Sequence, residues 1–591
     1  LPLHMCLALV VVWLYNPMVE KSKSHNKLWW IYDIFLIASS CFICWFFLSH
    51  AEQLNYRIFN VDVMTTTEVI VAVLLVINVM EAVRRVVSMS LFWVICFFLA
   101  YAWFGQYIPG LFRFSGISFP KLMEVLMYGE NGIFGSPLVT SLGTLFYFLV
   151  FGTFFSNCGG GGVLIDGGMK LSDKTVGGPA KAAVISSGLL GMVSGSAIAN
   201  VSTTGVLTIP LMKKTGYDPE EAAAVESVAS TGGQIMPPIM GAAAFIMAEM
   251  TGYEYADIIV RAILPAFLYF LGIFLGVHFK AKKLGLVGLK REELPKWKLL
   301  LPKIYLLLPL IVLTWMVVAG QTMAKSAIYG TIVAIVVGII NKDDRMTPSK
   351  FVNGLENGGK NCLSIGIACG IAGIISVCIT MTGLGGKLIT YVVKLSGGNL
   401  FIALFLTMIC CIILGMGVPT TANYIIMAST CAPILINGMS MHILAANMFV
   451  FYFGIVADIT PPVALAAYAG AAIAKAPPMK TALNATRLAI AAFIIPYIFA
   501  YNNAMIFVGD VTFFGVASIV ISATLGMASI ASGFMGYLIH DLKWYSRIAL
   551  IAGGLLMVIP GTVTDLAGLA ILIVILLIQR AENKKEKKAA V

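Results

Sequence analysis

Charge is what this 591-residue sequence has least of: Asp, Glu, Lys and Arg together make up 11% of it. A soluble domain carries roughly 25%, because its surface faces water, so an ordinary soluble enzyme is excluded. The six His are scattered, which leaves no His-rich metal constellation. Cys41 and Cys44 have CxxC spacing, but their flanks are apolar and no second pair follows. Most of the other Cys, such as Cys369, Cys378, Cys410 and Cys411, also lie in apolar runs and read as small buried hydrophobes rather than a redox or zinc site. Gly159 to Gly162 with Gly167 and Gly168 is Gly-rich, yet no Gly-Lys-Ser/Thr follows, so a connector is expected there and not a nucleotide loop. The short alternating segments of a membrane β-barrel are missing too.

What is present is apolar length. Hydrophobic residues make up 59% of the chain. They fall in runs of about 20, the length that spans a hydrocarbon core. In lipid such a run must be helical, since its backbone groups can pair only within their own segment. The expected fold is an all-α polytopic membrane protein.

The net charge of +11 sits in alternate loops, the positive-inside pattern, and not on one face as a nucleic-acid binder would have it. Lys21, Lys23 and Lys27 mark a cytoplasmic loop, after which 28–49 crosses outward, 63–80 returns to Arg84 and Arg85, and 91–107 leads to a long outer loop, 108–136. Arg84 and Arg85 read as interface anchors, as do Lys213 and Lys214; Trp29, Trp30 and Tyr32 read as an aromatic belt. The span 137–158 comes back in, so Lys170, Lys174 and Lys181 are cytoplasmic, and so are Lys213 and Lys214. The stretch 182–212 between them must then enter and leave on one side, as a re-entrant hairpin. A span broken near Pro237 and Pro238 runs over 222–250, and 258–278 leads to a basic loop with Lys280, Lys282, Lys283, Lys290, Arg291, Lys296 and Lys298. A hairpin over about 301–340 and a span over 361–382 follow. A second re-entrant hairpin is expected at 400–437, now from outside, and a second broken span at 443–474. The span 488–501 and about three more end at a tail with Lys584, Lys585, Lys587 and Lys588. The chain starts at Leu1 and not at Met, so an N-terminal piece is expected before it; 3–15 is too short for a signal peptide or a full span.

Two segments repeat. Gln234-Ile-Met-Pro-Pro-Ile-Met-Gly lines up with Asp458-Ile-Thr-Pro-Pro-Val-Ala-Leu, the Pro pairs lying 224 positions apart. Asn200 and Asn423 are 223 apart, as are Pro210 and Pro433, and Arg261 and Arg487 are 226 apart. By the charge walk the units enter from opposite sides, so they are inverted repeats, an architecture that places a binding site at the repeat interface. Each Pro-Pro removes two backbone donors and stops its helix. Irregular backbone at membrane depth survives only where it lines a protein cavity. The freed carbonyls suit Na⁺, and the exposed helix N-termini favour a carboxylate. The tips Ser194-Gly-Ser-Ala-Ile-Ala-Asn200 and Gly415-Met-Gly-Val-Pro-Thr-Thr-Ala-Asn423 offer close backbone approach and side-chain oxygens. One such motif alone would read as helix packing or a kink. Four of them, paired by a repeat, read as a site. Asp458, a carboxylate at membrane depth, reads as ion binding ahead of a satisfied polar pair, and Gln234 in its place makes the two sites unequal.

At these residues the sequence resembles the membrane component of tripartite ATP-independent periplasmic (TRAP) transporters, and among them the TAXI-associated type in which small and large subunits are fused. The carrying stretches are Gly177-Gly-Pro-Ala-Lys-Ala-Ala-Val, Ser194-Gly-Ser-Ala-Ile-Ala-Asn-Val-Ser-Thr-Thr-Gly, Ile209-Pro-Leu-Met-Lys-Lys-Thr-Gly-Tyr and Ala229-Ser-Thr-Gly-Gly-Gln-Ile-Met-Pro-Pro-Ile-Met-Gly. The likeness is dense over about 135–275 and recognisable to about 500. It implies a Na⁺-driven symporter of small organic acids in the bacterial inner membrane, with no organic cofactor and no nucleic acid. It also implies a TAXI-type extracytoplasmic binding protein as partner, and an elevator movement of a transport domain against a scaffold. Residues 1–158 would be the small-subunit-like scaffold, 159–500 the transport core (repeats at about 160–280 and 350–500), and 501–591 additional helices without an assigned role. The fused chain is expected to act as a monomer. The first Na⁺ and substrate site would draw on Ser194, Gly195, Ser196, Asn200, Thr231, Gly232, Gly233, Gln234 and Pro237. The second would draw on Gly415, Gly417, Pro419, Thr420, Thr421, Asn423, Asp458, Thr460 and Pro461. A stand-alone Na⁺/dicarboxylate carrier of related fold is the alternative. An intramembrane enzyme lacks its nucleophile–base pair or metal set, and a passive channel would not need paired broken helices.

Overall fold

The computed structural model describes all residues except 19–26, 60, 173–174, 287–296, 510, 559–560 and 590–591, together with all side chains but those at 27–28, 55 and 583–589. Lys21, Lys23, Lys174, Lys290, Arg291 and Lys296 therefore lie outside the described residues, as do the side chains of Lys27, Lys584, Lys585, Lys587 and Lys588. Within them the chain is a helical bundle without a β-strand, and eleven helices are long and apolar enough to cross a membrane.

Helices α1 (Pro2–Tyr15), α2 (Lys27–Ser49) and α3 (Thr66–Ala82) pack together at the N-terminus. The short α1 is no bystander, since Met5, Leu9, Val12 and Trp13 are buried in the main core. Arg85 follows α3 and is not an interface anchor. Its guanidinium is buried, 2.6 Å from Asp33 and 2.7 Å from Glu81, with Trp13 4.8 Å and Tyr32 5.5 Å away. Arg84 pairs with the same Glu81 at 2.7 Å. One cation thus ties α1, α2 and α3 together. Arg85→Met should destabilise the N-terminal bundle by about 3–5 kcal/mol, because Asp33 is left buried without its charge partner. Differential scanning fluorimetry in detergent checks this, and an unchanged melting temperature would refute it.

Two expectations need correction. The outer loop 108–136 contains a helix, Phe119–Tyr128. The Gly-rich stretch is also helical, over Gly160–Leu171. Its glycines permit close packing and do not break structure: a Cβ on Gly161 would meet Leu190 at 3.2 Å, and one on Gly168 the Ser186 nitrogen at 2.8 Å.

The core is built twice from the same parts. The first set is a hairpin of α4 (Gly178–Ser194) and α5 (Ala197–Lys214), a broken helix of α6 (Pro219–Gly233) and α7 (Ala242–Thr251), and the long α8 (Tyr255–Lys283). The second is a hairpin of α9 (Leu400–Gly415) and α10 (Thr420–Met439), a broken helix of α11 (Ile443–Val456) and α12 (Leu465–Ala474), and α13 (Pro478–Tyr501). The sets interlock. Helix α12 packs on α5 and α6, while α7 packs on α10 and α11. Lys213, at the end of α5, donates to the Ala474 carbonyl at the end of α12 (2.8 Å), a tie between repeats rather than a plain anchor. The helix Pro348–Thr382 runs beside the N-terminal helices and α10, while α14 (Phe513–Met535) lies against α8 and α15 (Trp544–Val558) against α14.

Candidate functional site

Both helix breaks coincide with the Pro-Pro pairs. In the first, α6 tightens through short-range bonds from the Gln234, Ile235 and Met236 amides to the Thr231, Gly232 and Gly233 carbonyls (3.1–3.2 Å), and the chain stays non-helical to Gly241. In the second, α11 passes into a single tight turn over Ala457–Ile459, and α12 restarts at Leu465. Proline carbonyls freed by the breaks do not stay free. The Tyr255 hydroxyl donates to Pro238 O (3.1 Å) and to Ile239 O, the Tyr468 hydroxyl to Pro462 O, and the Thr486 hydroxyl to Ile459 O (3.2 Å). Pro238 and Pro462 are repeat mates capped by tyrosines from different places in the two repeats. Each of these carbonyls thus has one of its two lone pairs engaged.

The hairpin tips reach these breaks. Gly195, at φ +65°, forms the turn between α4 and α5, and a Cβ there would stand 3.1 Å from Gly241 Cα. Four residues back, Gly191 meets Gly233 backbone to backbone, so any side chain at Gly233 would strike the α4 main chain. Gly417, at φ +71°, makes the second tip. It faces Val463 of the second break and Ser90, which stands outside both repeats. Gly415 lies against Asn423 and Ala457.

Asn200 and Asn423 hold the same place, the fourth residue of α5 and of α10. Asn200 Nδ2 donates to Ser187 O (2.8 Å) and Ser230 Oγ (3.0 Å). Asn423 Nδ2 donates to Gly454 O (2.9 Å). Both residues are buried, and in both Oδ1 has no hydrogen-bond partner. Buried polar atoms are almost always satisfied, so two repeat-related orphan oxygens call for a ligand.

The remaining candidates divide. Asp458 is buried, accepts from Thr420 Oγ1 at 3.4 Å, and is faced by the Gln234 side chain, whose own Nε2 is buried without a partner. Gln234 and Asp458, assigned by sequence to separate sites, thus adjoin across the repeat interface. Ser194 and Ser196 are half-buried at the first tip, and Ser196 caps α5. Pro237, Pro419 and Pro461 are half-buried at the mouths of the breaks and tip, and Thr421 is buried behind the second tip. Three do not point the expected way. Thr231 and Thr460 donate back to their own helices, to Ser227 O and Val456 O at 2.8 Å, and Gly232 packs on the Tyr269 ring.

One residue escaped the sequence reading. Glu226, in α6, is fully buried and lies within hydrogen-bonding reach of the Ser187, Thr204, Thr208 and Ser230 hydroxyls, with Ser187 and Thr208 at 2.5 Å. Ser230 and Ser187 are also the residues that hold Asn200. The signal was available: a carboxylate in a helix of small residues at membrane depth is as costly as Asp458.

Residues 74–514, three quarters of the chain and all the candidate residues with them, match the family described as the tripartite ATP-independent periplasmic transporter, DctM component. The chain belongs to this family. The family is one of transporter components, not enzymes, and its members are multi-pass proteins of the inner membrane. A stretch of 92 residues, 16% of the chain, is 37% identical to the uncharacterized protein y4mL of Sinorhizobium fredii and spans 22% of that relative. The DctM match begins inside α3 and stops at the start of α14, so α1, α2 and almost all of the chain from α14 onward lie outside it.

Proposed function

We propose that this DctM-family protein is the membrane permease of a binding-protein-dependent secondary transporter, importing small organic acids by Na⁺-coupled symport. The observation that carries the coupling is the pair of repeat-related asparagines with unpaired, buried Oδ1 atoms. Uncharged oxygens of this kind suit a hard monovalent cation, whereas Cys or His would suit a transition metal. Asn200 with the first tip would hold one ion, and Asn423 with the second tip and Asp458 the other. Gln234, between them, would orient the solute. On this reading the hairpins are re-entrant, the repeats inverted, and the core α4–α13 moves as an elevator against the long helix Pro348–Thr382 and the N-terminal helices. The partner would be an extracytoplasmic binding protein of the TAXI type.

The test is uptake by proteoliposomes over a panel of small organic acids. Accumulation should require both an inward Na⁺ gradient and the cognate binding protein. Accumulation without the binding protein would instead support the stand-alone carrier, and accumulation indifferent to Na⁺ would overturn the coupling.

A further inference from the structure

Where the C-terminal helices meet the core there is a cavity of about 220 Å³ that the transport reading does not use. Its wall brings together residues far apart in the chain: Tyr217 and Glu221 at the start of α6, Lys280 and Lys283 at the end of α8, Arg487 in α13, and Arg547 in α15. Four cations thus stand against one carboxylate, and Glu221 is engaged by Lys280 at 2.5 Å. Lys283 meets the exposed Asp541 at 3.5 Å and donates to the Met535 carbonyl at 3.4 Å. Among the described residues neither arginine has a carboxylate partner, and Arg487 makes no hydrogen bond at all. Arg547 is pinned by bonds to the Gly533 and Phe534 carbonyls (2.9 and 3.1 Å), which fix its guanidinium plane.

Two further observations point to a ligand. A Cβ on Gly536 would lie 3.2 Å from Lys283 Nζ and 3.3 Å from Arg547 Cζ, so the fold drives two like charges toward one point. The carbonyls at the C-terminus of α14 hold both cations there, and an anion between them would offset the repulsion that remains. The second is Tyr217, 4% exposed, whose hydroxyl has no partner. Burial, then the neighbouring Glu221, pushes its phenol up, so it remains a neutral donor. Guanidinium forks and ammonium groups match a tetrahedral oxyanion. The volume is below the roughly 300–1,000 Å³ of pockets for drug-sized ligands, which suits a small group.

We propose that this cavity binds a phosphate-class oxyanion that bridges the core and the C-terminal helices. Both a free phosphate and the headgroup of an anionic phospholipid carry that chemistry, on the face assigned to the cytoplasm by positive-inside charge.

The test uses the full chain, delipidated in a neutral detergent. In one arm, melting is followed with sodium phosphate against sodium chloride at matched Na⁺ and ionic strength. In the other, native mass spectrometry follows retention of phosphatidylglycerol against phosphatidylcholine. In at least one arm the wild type should respond: a rise of about 3 °C at about thousandfold excess over Kd, or selective retention of phosphatidylglycerol. The responding arm identifies the source. Arg487→Gln and Arg547→Gln should each weaken binding about tenfold. Glu221→Gln should strengthen it severalfold by removing the one negative charge, an effect no misfolded variant would give. Lys342→Gln, elsewhere on the same face, should change nothing. A wild type silent in both arms, or a response that the arginine variants share in full, would overturn the site.

Discussion

Proteoliposomes carrying Asn200→Ala or Asn423→Ala are expected to need at least about tenfold more Na⁺ for half-maximal uptake, the scale on which disturbing a cation's ligand sphere acts. The argument rests on the two ends of each amide. Nδ2 holds the hairpin to its neighbours, through Ser187 and Ser230 in one repeat and Gly454 in the other. Losing it should lower stability by about 1–3 kcal/mol. Oδ1 has no task in the protein, so only its loss reaches the ion. Measuring melting temperature and Na⁺ dependence on the same preparations separates the two. A variant that melts earlier but keeps its Na⁺ dependence would show that the asparagines are structural pins. Asp458→Asn should disturb coupling more than Gln234→Ala, since only the former removes charge; equal, silent behaviour would make Asp458 a structural carboxylate.

How much of this could be read beforehand depends on the range of the interaction. The spans follow from local composition, because a run of about 20 apolar residues has one solution in lipid. The breaks follow from Pro237-Pro238 and Pro461-Pro462, a purely local effect. The matched Asn positions follow from the repeat register, although their unpaired oxygens do not. What failed was tertiary. Nothing in the sequence around Tyr255 links it to the Pro238 carbonyl it caps, 17 residues back. Arg85 resembled every other basic loop residue until α1 and α2 folded over it. The glycines at 160–168 resembled a loop because their partners, Leu190 and Ser186, lie on the next helix. The basic cavity joins α6 to α15 across more than half the chain, and charge counting saw in its lysines only a loop signal.

Glu226→Leu is expected to have the largest effect on folding of any single change in the core. Four hydroxyls converge on this carboxylate, and three of them have fallback acceptors: Thr204 can donate to Asn200 O (2.8 Å), Thr208 to Thr204 O (3.1 Å) and Ser187 to Thr204 Oγ1 (2.9 Å). Ser230 has no other acceptor in such reach. Its proton would be left buried and unpaired at about 1–3 kcal/mol, and a branched leucine must also fit beside Gly205, where a Cβ would already stand 3.2 Å from Glu226 Cγ. The orphaned donor and the misfit of the leucine together, about 2–5 kcal/mol, are a large part of the margin by which proteins stay folded. Because Ser187 and Ser230 also hold Asn200, the damage should spread to the first tip. Glu226→Gln keeps an acceptor for three of the hydroxyls and lets Thr208 turn to its fallback, so it should fold and melt within about 1–2 kcal/mol of the wild type. Yield and melting temperature in detergent decide the matter: a leucine variant as stable as the glutamine variant would mean that the hydroxyl cluster does not hold the hairpin together.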